Sequence, residues 1–398
     1  MKTKQIATLY EKYAIPVYNR LGIAAARARG SWLWDQEGRR YLDLFPGWGA
    51  NALGHCHPAI ARAVRNQAQR LIHVPNTFYH EPQARLAEAL VKSSFPSKAF
   101  FTSSGAEAVE AAIKLARKYG NPNRWEILTM EGSFHGRTLG AMAATGQTRH
   151  QRGFEPIPAG FRHIPFNDLQ AVKNALRPET VAIMLELVQG EGGIHVASRE
   201  YVQGLRKICD EQKLLLIFDE ISTGMGRTGT LYCFQQYRVI PDMMLLAKPM
   251  GGGLPIGALL AGLQFSDLWE KASHATTFGG NPLVTAAGLA TLQTLRKERL
   301  IQNARNQSKA LRKKLEELRK RHPTIREIRG LGLMLGIQLD RPGAAVVRAA
   351  AKRGLLMNCT QERILRMYPA LTITRKEIEL GVKILDEALT ETERGLAK

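Results

Sequence analysis

Residues 245–258 read LLAKPMGGGLPIGA. A lone lysine, Lys248, stands at the end of an apolar run, directly before a proline, a methionine and three glycines. A lysine that serves only solubility sits among polar neighbours, on a helix face open to water. Residues 243–247 instead have the length and character of a buried strand, so Lys248 emerges at its carboxyl end, where open α/β sheets bind ligands. The glycines that follow reach backbone angles closed to other residues and let the main chain pass close to a ligand. The competing reading is a tight turn with an incidental lysine, and the rest of the chain decides between them.

Working outward, short apolar runs at 99–101, 127–130, 181–185, 214–218 and 243–247 alternate with helical patterns. Strands spaced this way need crossover connections, which implies an α/β fold with a mainly parallel sheet. From Arg296 to His322 there are eleven Lys or Arg against three Glu, over a seam of Ala304, Ser308, Leu311, Leu315 and Leu318. That pattern predicts one amphipathic helix with a basic outer face. Short segments follow, then a final helix opened by Thr374 and Glu377 at capping-box spacing. We expect a domain change near residue 295, with no flexible linker.

The 398 residues carry 56 Lys or Arg against 35 Asp or Glu, a net charge of +21. Such a balance raises an acidic partner or nucleic acid as possibilities. Much of the excess lies in the 296–322 segment without interleaved aromatics, which favours a solvated helix face over a nucleic-acid stripe. No stretch approaches the roughly 18 consecutive apolar residues of a membrane helix. The N-terminal residues show no apolar core or small-residue cleavage site, so a cytoplasmic protein without membrane association is expected. Cys56, Cys209, Cys233 and Cys359 form no CxxC pair, and His55-Cys56-His57 lacks a second ligand cluster, so neither a disulfide framework nor a metal site is indicated.

Two more stretches bear on Lys248. After the run at 99–101 comes TSSGAEAVEAAIKLARKYG, where Ser104 and Glu107 have capping-box spacing and Val109, Ala112, Ile113 and Ala116 mark one helical face. Gly105 and Ala106 then present main-chain N–H groups at a helix start, where free donors and the helix dipole favour a phosphate. The run at 214–218 ends in Asp219-Glu220. Pyridoxal phosphate needs a lysine for its aldehyde, a carboxylate to keep its pyridine nitrogen protonated and an anion cradle for its phosphate. Lys248, Asp219 and the Ser104–Ala106 turn supply these three at expected strand ends, which answers the question that Lys248 poses. A competing motif, Gly224-Met225-Gly226-Arg227-Thr228-Gly229, matches G-x-G-x-x-G with Asp242 downstream and keeps a nicotinamide dehydrogenase open. Its context is poor, because residues 219–223 separate strand from glycines and little helical patterning follows.

The ordered set FFTSSGAEAVEAAIKLAR, SFHGRTLGAM, ELVQGEGG, FDEISTGMGRTG, LLAKPMGGGLPIGA and HATTFGGNPL resembles the class III aminotransferases, closest to their acetylornithine-converting branch. The resemblance runs over nearly the whole chain, from WDQEGRRYLDL and NALGHCHPAI to LRMYPALTIT. It implies a fold-type I homodimer whose two active sites lie at the subunit interface. The large pyridoxal-phosphate domain would span 56–295, with a mainly parallel seven-stranded sheet. A smaller α+β domain would combine residues 1–55 and 296–398.

By the same resemblance, Lys248 would bind the cofactor and shuttle a proton, and Asp219 would pair with the pyridine nitrogen. Ser104, Gly105 and Ala106 would hold the phosphate, helped by Thr277, with Thr276 beside it, from the other subunit. Phe134 would stack on the ring, and Glu220, Ile221 and Ser222 would lie around the cofactor. Arg137 and Arg366 would grip substrate carboxylates, with Glu191 masking Arg366 until an α-amino-acid substrate arrives. Ser222 stands where the family usually has a glutamine near the ring oxygen, Leu187 replaces a usual proline, and Trp48 brings an indole toward the expected entrance. The expected reaction moves the terminal amino group of N2-acetylornithine to 2-oxoglutarate. Ornithine, succinylornithine, 4-aminobutyrate and an aminoacylated acidic carrier protein are alternative donors.

Overall fold

The computed structural model describes residues 1–394. Its centre is a seven-stranded sheet of β1 (Ser97–Thr102), β2 (Glu126–Met130), β3 (Phe161–Ile164), β4 (Thr180–Glu186), β5 (Leu215–Asp219), β6 (Met243–Leu246) and β7 (Gly257–Gly262), in spatial order β1-β7-β6-β5-β4-β2-β3. The run from β6 to β3 is parallel, whereas β7 lies antiparallel to both β6 and β1. β2, β4, β5 and β6 are buried along their whole length, which is why they read as continuous apolar runs rather than alternating ones. The five expected strands are present. β3 and β7 are not legible as strands along the chain, because FRHI carries polar residues and GALLAG, rich in glycine and alanine, reads as part of the turn after Lys248.

Helix α1 (Gly105–Gly120) packs its buried face of Ala108, Val109, Ala112, Ile113, Leu115 and Ala116 against this sheet. Ser104 caps it by accepting from the Glu107 N–H at 3.2 Å, while the Glu107 carboxylate reaches the Ser103 N–H at 2.8 Å, one residue earlier than a standard capping box.

The expected single basic helix is two helices, α2 (Pro282–Lys297) and α3 (Leu300–Arg321). Arg299, at φ 53°, turns the chain between them, and the backbone there takes a left-handed conformation that no helix can continue. Ala304, Leu311, Leu315 and Leu318 are buried as the seam requires, with Ser308 half-buried. Several of the cations are spent internally: Arg312 donates to the carbonyls of Ile328 and Gly330, and Lys314 and Arg321 pair with Glu379 and Asp386 of α4 (Arg375–Arg394). The Thr374–Glu377 box opens α4 as expected.

The two chain ends meet. The strand Arg40–Asp43 pairs in parallel with Leu355–Leu356, joining the N-terminal meander to the C-terminal part. A second antiparallel sheet follows α3, in the spatial order Ile325–Leu331, Met334–Leu339, Ile364–Met367, Asn358–Thr360. It sets Arg366 directly opposite Asn358. Among the described residues no helix is long and apolar enough to cross a membrane.

Candidate active site

A cavity of about 380 Å³ opens at the carboxyl ends of β5 and β6, lined by Lys248, Asp219, Ser222, Phe134, Gly105 and Ala106 among others. β6 delivers Lys248 into a one-turn 3₁₀ segment, Lys248–Gly251, with Lys248 itself at φ 29°. That left-handed conformation is uncommon for a side-chain-bearing residue and is characteristic of functional positions. Its amine lies 2.6 Å from the Ser222 hydroxyl. Burial pushes the Lys248 ammonium below the usual lysine range, against the opposing pull of Glu186, Asp219 and Glu191.

Asp219 ends β5 and is almost fully buried. Its Oδ1 accepts from the Ile221 N–H at 3.0 Å, and its Oδ2 lies 2.8 Å from His135 Nδ1. An ionised carboxylate can only accept, so Nδ1 carries the proton and donates. His135 Nε2 has no partner among the described residues. Beside them Glu186, at the end of β4, accepts from the N–H groups of Phe134 and Gly190, both at 2.9 Å, and burial pushes its carboxyl up to about 7. His135 and Glu186 both line the cavity and were not singled out by sequence. Both lie inside the motifs that hold Phe134 and Glu191, SFHGRTLGAM and ELVQGEGG, and that shared segment is the signal the sequence offers.

At the opposite end, Ser104, Gly105 and Ala106 line the cavity at the start of α1. A Cβ at Gly105 would meet Ile221 at 3.0 Å, and one at Gly136 would come within 2.9 Å of Ala106 Cβ. The small residues thus keep this end of the cavity open beside the helix N-terminus, where an anion is favoured.

Glu191 and Arg366, 175 residues apart, are joined by an ion pair of 2.7 Å, with Arg366 3% and Glu191 26% exposed. Arg366 also donates from Nε to Asn358 Oδ1 at 2.8 Å and from Nη1 to the Gly190 carbonyl at 3.1 Å, and its guanidinium lies over the Phe45 ring. Desolvation works to raise the Glu191 carboxyl, but the charge and hydrogen bond of Arg366 outweigh it and hold the group below its ordinary value.

Other expected residues stand elsewhere. Glu220 is a correction: it turns away from the cavity, accepting from the N–H groups of Cys233 and Phe234 at 2.6 and 2.7 Å, because successive residues at a strand end face opposite sides. Arg137 is exposed, with its guanidinium 5.4 Å from the Phe134 ring centre, and does not line the cavity. Thr276 and Thr277 also lie outside it, Thr276 Oγ1 accepting from the Gly279 N–H at 3.1 Å. Leu187 is fully buried, and Trp48 is half exposed at φ 53°.

The G-x-G-x-x-G stretch is not a dinucleotide site. Gly226 and Gly229 adopt positive φ in a run of turns, no helix follows before a short 3₁₀ segment, and Arg227 is wholly buried, donating to the carbonyls of Leu333 and Pro369. Asp242 is occupied by Arg206 and the Leu216 N–H. His55 and His57 serve locally, toward Asp43 and as the cap of the helix at Pro58, and no metal-binding cluster is found among the described residues.

A strand-end lysine, a buried carboxylate held by a histidine and a helix N-terminus facing the same cavity fit pyridoxal phosphate at its aldehyde, ring nitrogen and phosphate. Fold and site together define an enzyme of the pyridoxal-phosphate transaminase class. The chain belongs to the class III aminotransferases, whose family model, described as aminotransferase class-III, matches residues 13–389. It is 46% identical over 389 residues to the acetylornithine aminotransferase of Caldanaerobacter subterraneus, covering 96% of this chain and 99% of that one. The N-acetylornithine aminotransferase structure from Stenotrophomonas maltophilia superposes with a TM-score of 0.84 at 36% identity, covering 98% and 99% of the two chains. An ornithine aminotransferase structure from Toxoplasma gondii, with PLP partially occupying its active site, gives 0.96 at 29% identity, covering 100% and 96%. This enzyme is a transaminase and uses pyridoxal phosphate, as its class does.

Proposed function

We propose that the enzyme transfers the terminal amino group of N2-acetyl-L-ornithine to 2-oxoglutarate, giving N-acetyl-L-glutamate 5-semialdehyde and L-glutamate, a reaction of arginine biosynthesis. The observation that carries the terminal-amine half of this reading is the Glu191–Arg366 pair, which suits any donor with a single carboxylate. N-acetylornithine has one carboxylate and a neutral acylated α-nitrogen, so with its terminal amine at Lys248 it needs one cation. Glutamate, bound by its α-amino group, brings two carboxylates. Glu191 on Arg366 hides one cation and leaves Arg137 for the first substrate; Glu191 turned aside leaves both for the second. The names of the relatives support the same donor.

Bound pyridoxal phosphate supplies the electron sink that makes the carbon beside the transferred nitrogen acidic. Lys248 would hold the cofactor and, once free, take the proton from that carbon, a task suited to an amine whose burial disfavours its charge. Asp219, aimed by His135 and the Ile221 N–H, would keep the pyridine nitrogen protonated. Gly105 and Ala106 would receive the phosphate and Phe134 would cover the ring. Arg137, exposed beside Phe134, would meet the donor carboxylate at the cavity mouth.

We further read a homodimer in which Thr277 of the partner subunit, with Thr276 of the partner subunit beside it, completes the phosphate site. Phe78, Tyr79 and Phe278 are all more than 60% exposed, an apolar surface of the kind a subunit interface covers. The division into a large domain at 56–295 and a small one from 1–55 and 296–398 follows the pairing of the two chain ends. The four free cysteines suit a reducing cytoplasm.

The test is a donor panel with 2-oxoglutarate as acceptor, comparing kcat/KM for N-acetylornithine, ornithine, succinylornithine and 4-aminobutyrate. N-acetylornithine should lead. A higher value for unacylated ornithine would overturn the substrate assignment and leave the transaminase class intact.

A further inference from the structure

Ser222 is half-buried, lines the cavity and places its hydroxyl 2.6 Å from the Lys248 amine. The neighbouring carboxyl side chains are committed elsewhere: Asp219 to His135 and the Ile221 N–H, Glu186 to two backbone N–H groups, Glu191 to Arg366. Ser222 is the side chain that bonds Lys248 among the described residues. The Lys248 backbone, at φ 29°, occupies a conformation that surrounding structure must hold in place. The turn after β5 and the turn after β6 are thus joined by a side-chain hydrogen bond close to where each leaves its strand.

We propose that Ser222 is the positioning residue of Lys248, holding its amine at the cavity floor in every state in which that amine is not bonded to the cofactor. The proposal rests on the reading that Lys248 carries the cofactor. A hydroxyl at this position is short and stays with the lysine, whereas the glutamine that the resemblance leads one to expect would extend past it toward the ring. Serine therefore exchanges a cofactor contact for a contact to the reactive amine. A long flexible lysine has many rotamers, and a partner that selects one raises the fraction of amines placed to attack an aldehyde and to take a proton.

Apo-enzyme, freed of cofactor by phenylhydrazine treatment or cysteine and dialysis, is assayed in two ways. Competitive acylation with acetic anhydride, read by mass spectrometry of the Lys248 peptide across pH, gives the titration midpoint of that amine. Stopped-flow absorbance gives its rate of capture of pyridoxal phosphate. The ammonium donates to the serine oxygen, so Ser222→Ala should move the midpoint down by about half a unit or more, because a bond to a charged donor is lost. More amine is then neutral at pH 7, yet capture should slow by roughly tenfold, because the amine is no longer aimed. The half-reaction rate should fall with it. Ser222→Thr, which keeps the hydroxyl, should restore both readings.

A lower midpoint, which leaves more of the amine neutral, together with slower capture is the mark of a positioning role. If Ser222→Ala leaves both unchanged, or lowers only the affinity for pyridoxal phosphate, Ser222 packs or contacts cofactor and the proposal is overturned. Borohydride reduction of wild-type holoenzyme is the control: label on a peptide other than that of Lys248 would overturn the functional reading itself, a different result from either.

Discussion

His135 Nδ1 and Asp219 Oδ2 lie 2.8 Å apart with both side chains withdrawn from water, at the floor of the cavity that Lys248 enters. The histidine donates one proton to the carboxylate and the Ile221 N–H a second, so the carboxylate has one orientation. Replacing His135 by Leu leaves one Asp219 oxygen without its charge-assisted donor. We expect a roughly ten- to hundredfold fall in the half-reaction rate, the effect of losing about 1.5–3 kcal/mol from a bond to a charged group. Weaker retention of pyridoxal phosphate on dialysis should accompany it. An unaltered half-reaction would reduce His135 to core packing.

Lys248→Ala should abolish turnover in a protein that still folds, since the residue's side chain ends in the cavity rather than in the core. Circular dichroism and the melting temperature check the fold, and amino transfer from N-acetylornithine checks the chemistry. Near wild-type turnover would mean that another lysine carries the cofactor.

Asp219→Asn keeps the shape but replaces one acceptor oxygen by an amide donor, and an amide does not hold a proton on the pyridine nitrogen. The half-reaction should slow by several orders of magnitude, with an altered cofactor spectrum. A half-reaction at wild-type rate would make Asp219 a structural cap.

Removing the Glu191 carboxylate uncovers Arg366, which retains Asn358 and the Gly190 carbonyl as partners and so stays in place. Glu191→Ala should keep or improve the glutamate half-reaction and weaken that of N-acetylornithine, shifting their ratio by about tenfold or more, near 1.4 kcal/mol. Single-turnover rates for the two donors decide it. Equal losses would show a structural role.

The same pair predicts a pH profile. Arg366 holds the Glu191 carboxyl below its ordinary value of 4.5, so the interaction is complete above that pH and is lost as pH falls through the lower folded value. The ratio of the two half-reactions should therefore stay flat from pH 8 down to about 5, whatever the absolute rates do. A change of ratio between pH 6 and 7 would assign the switch to a different titrating group.

Much of this protein is decided along the chain. Buried strands read as apolar runs because a sheet covered on both faces has no polar side to show, and Lys248 and Asp219 declare themselves because a charge at the end of such a run has nowhere to go but the ligand edge. The helix start at Gly105 is equally local, set by Ser104 and Glu107 three residues apart. Tertiary structure decides what depends on direction and distance. Glu220 follows Asp219 yet faces away, since neighbours on a strand point to opposite sides. The G-x-G-x-x-G glycines make turns because Arg227 is drawn into the core by carbonyls more than 100 residues away. The basic segment breaks at Arg299, whose φ no periodicity records. His135 on Asp219, Ser222 on Lys248 and Asn358 on Arg366 are contacts across separate elements, and only the packing of those elements brings the polar atoms within hydrogen-bonding distance.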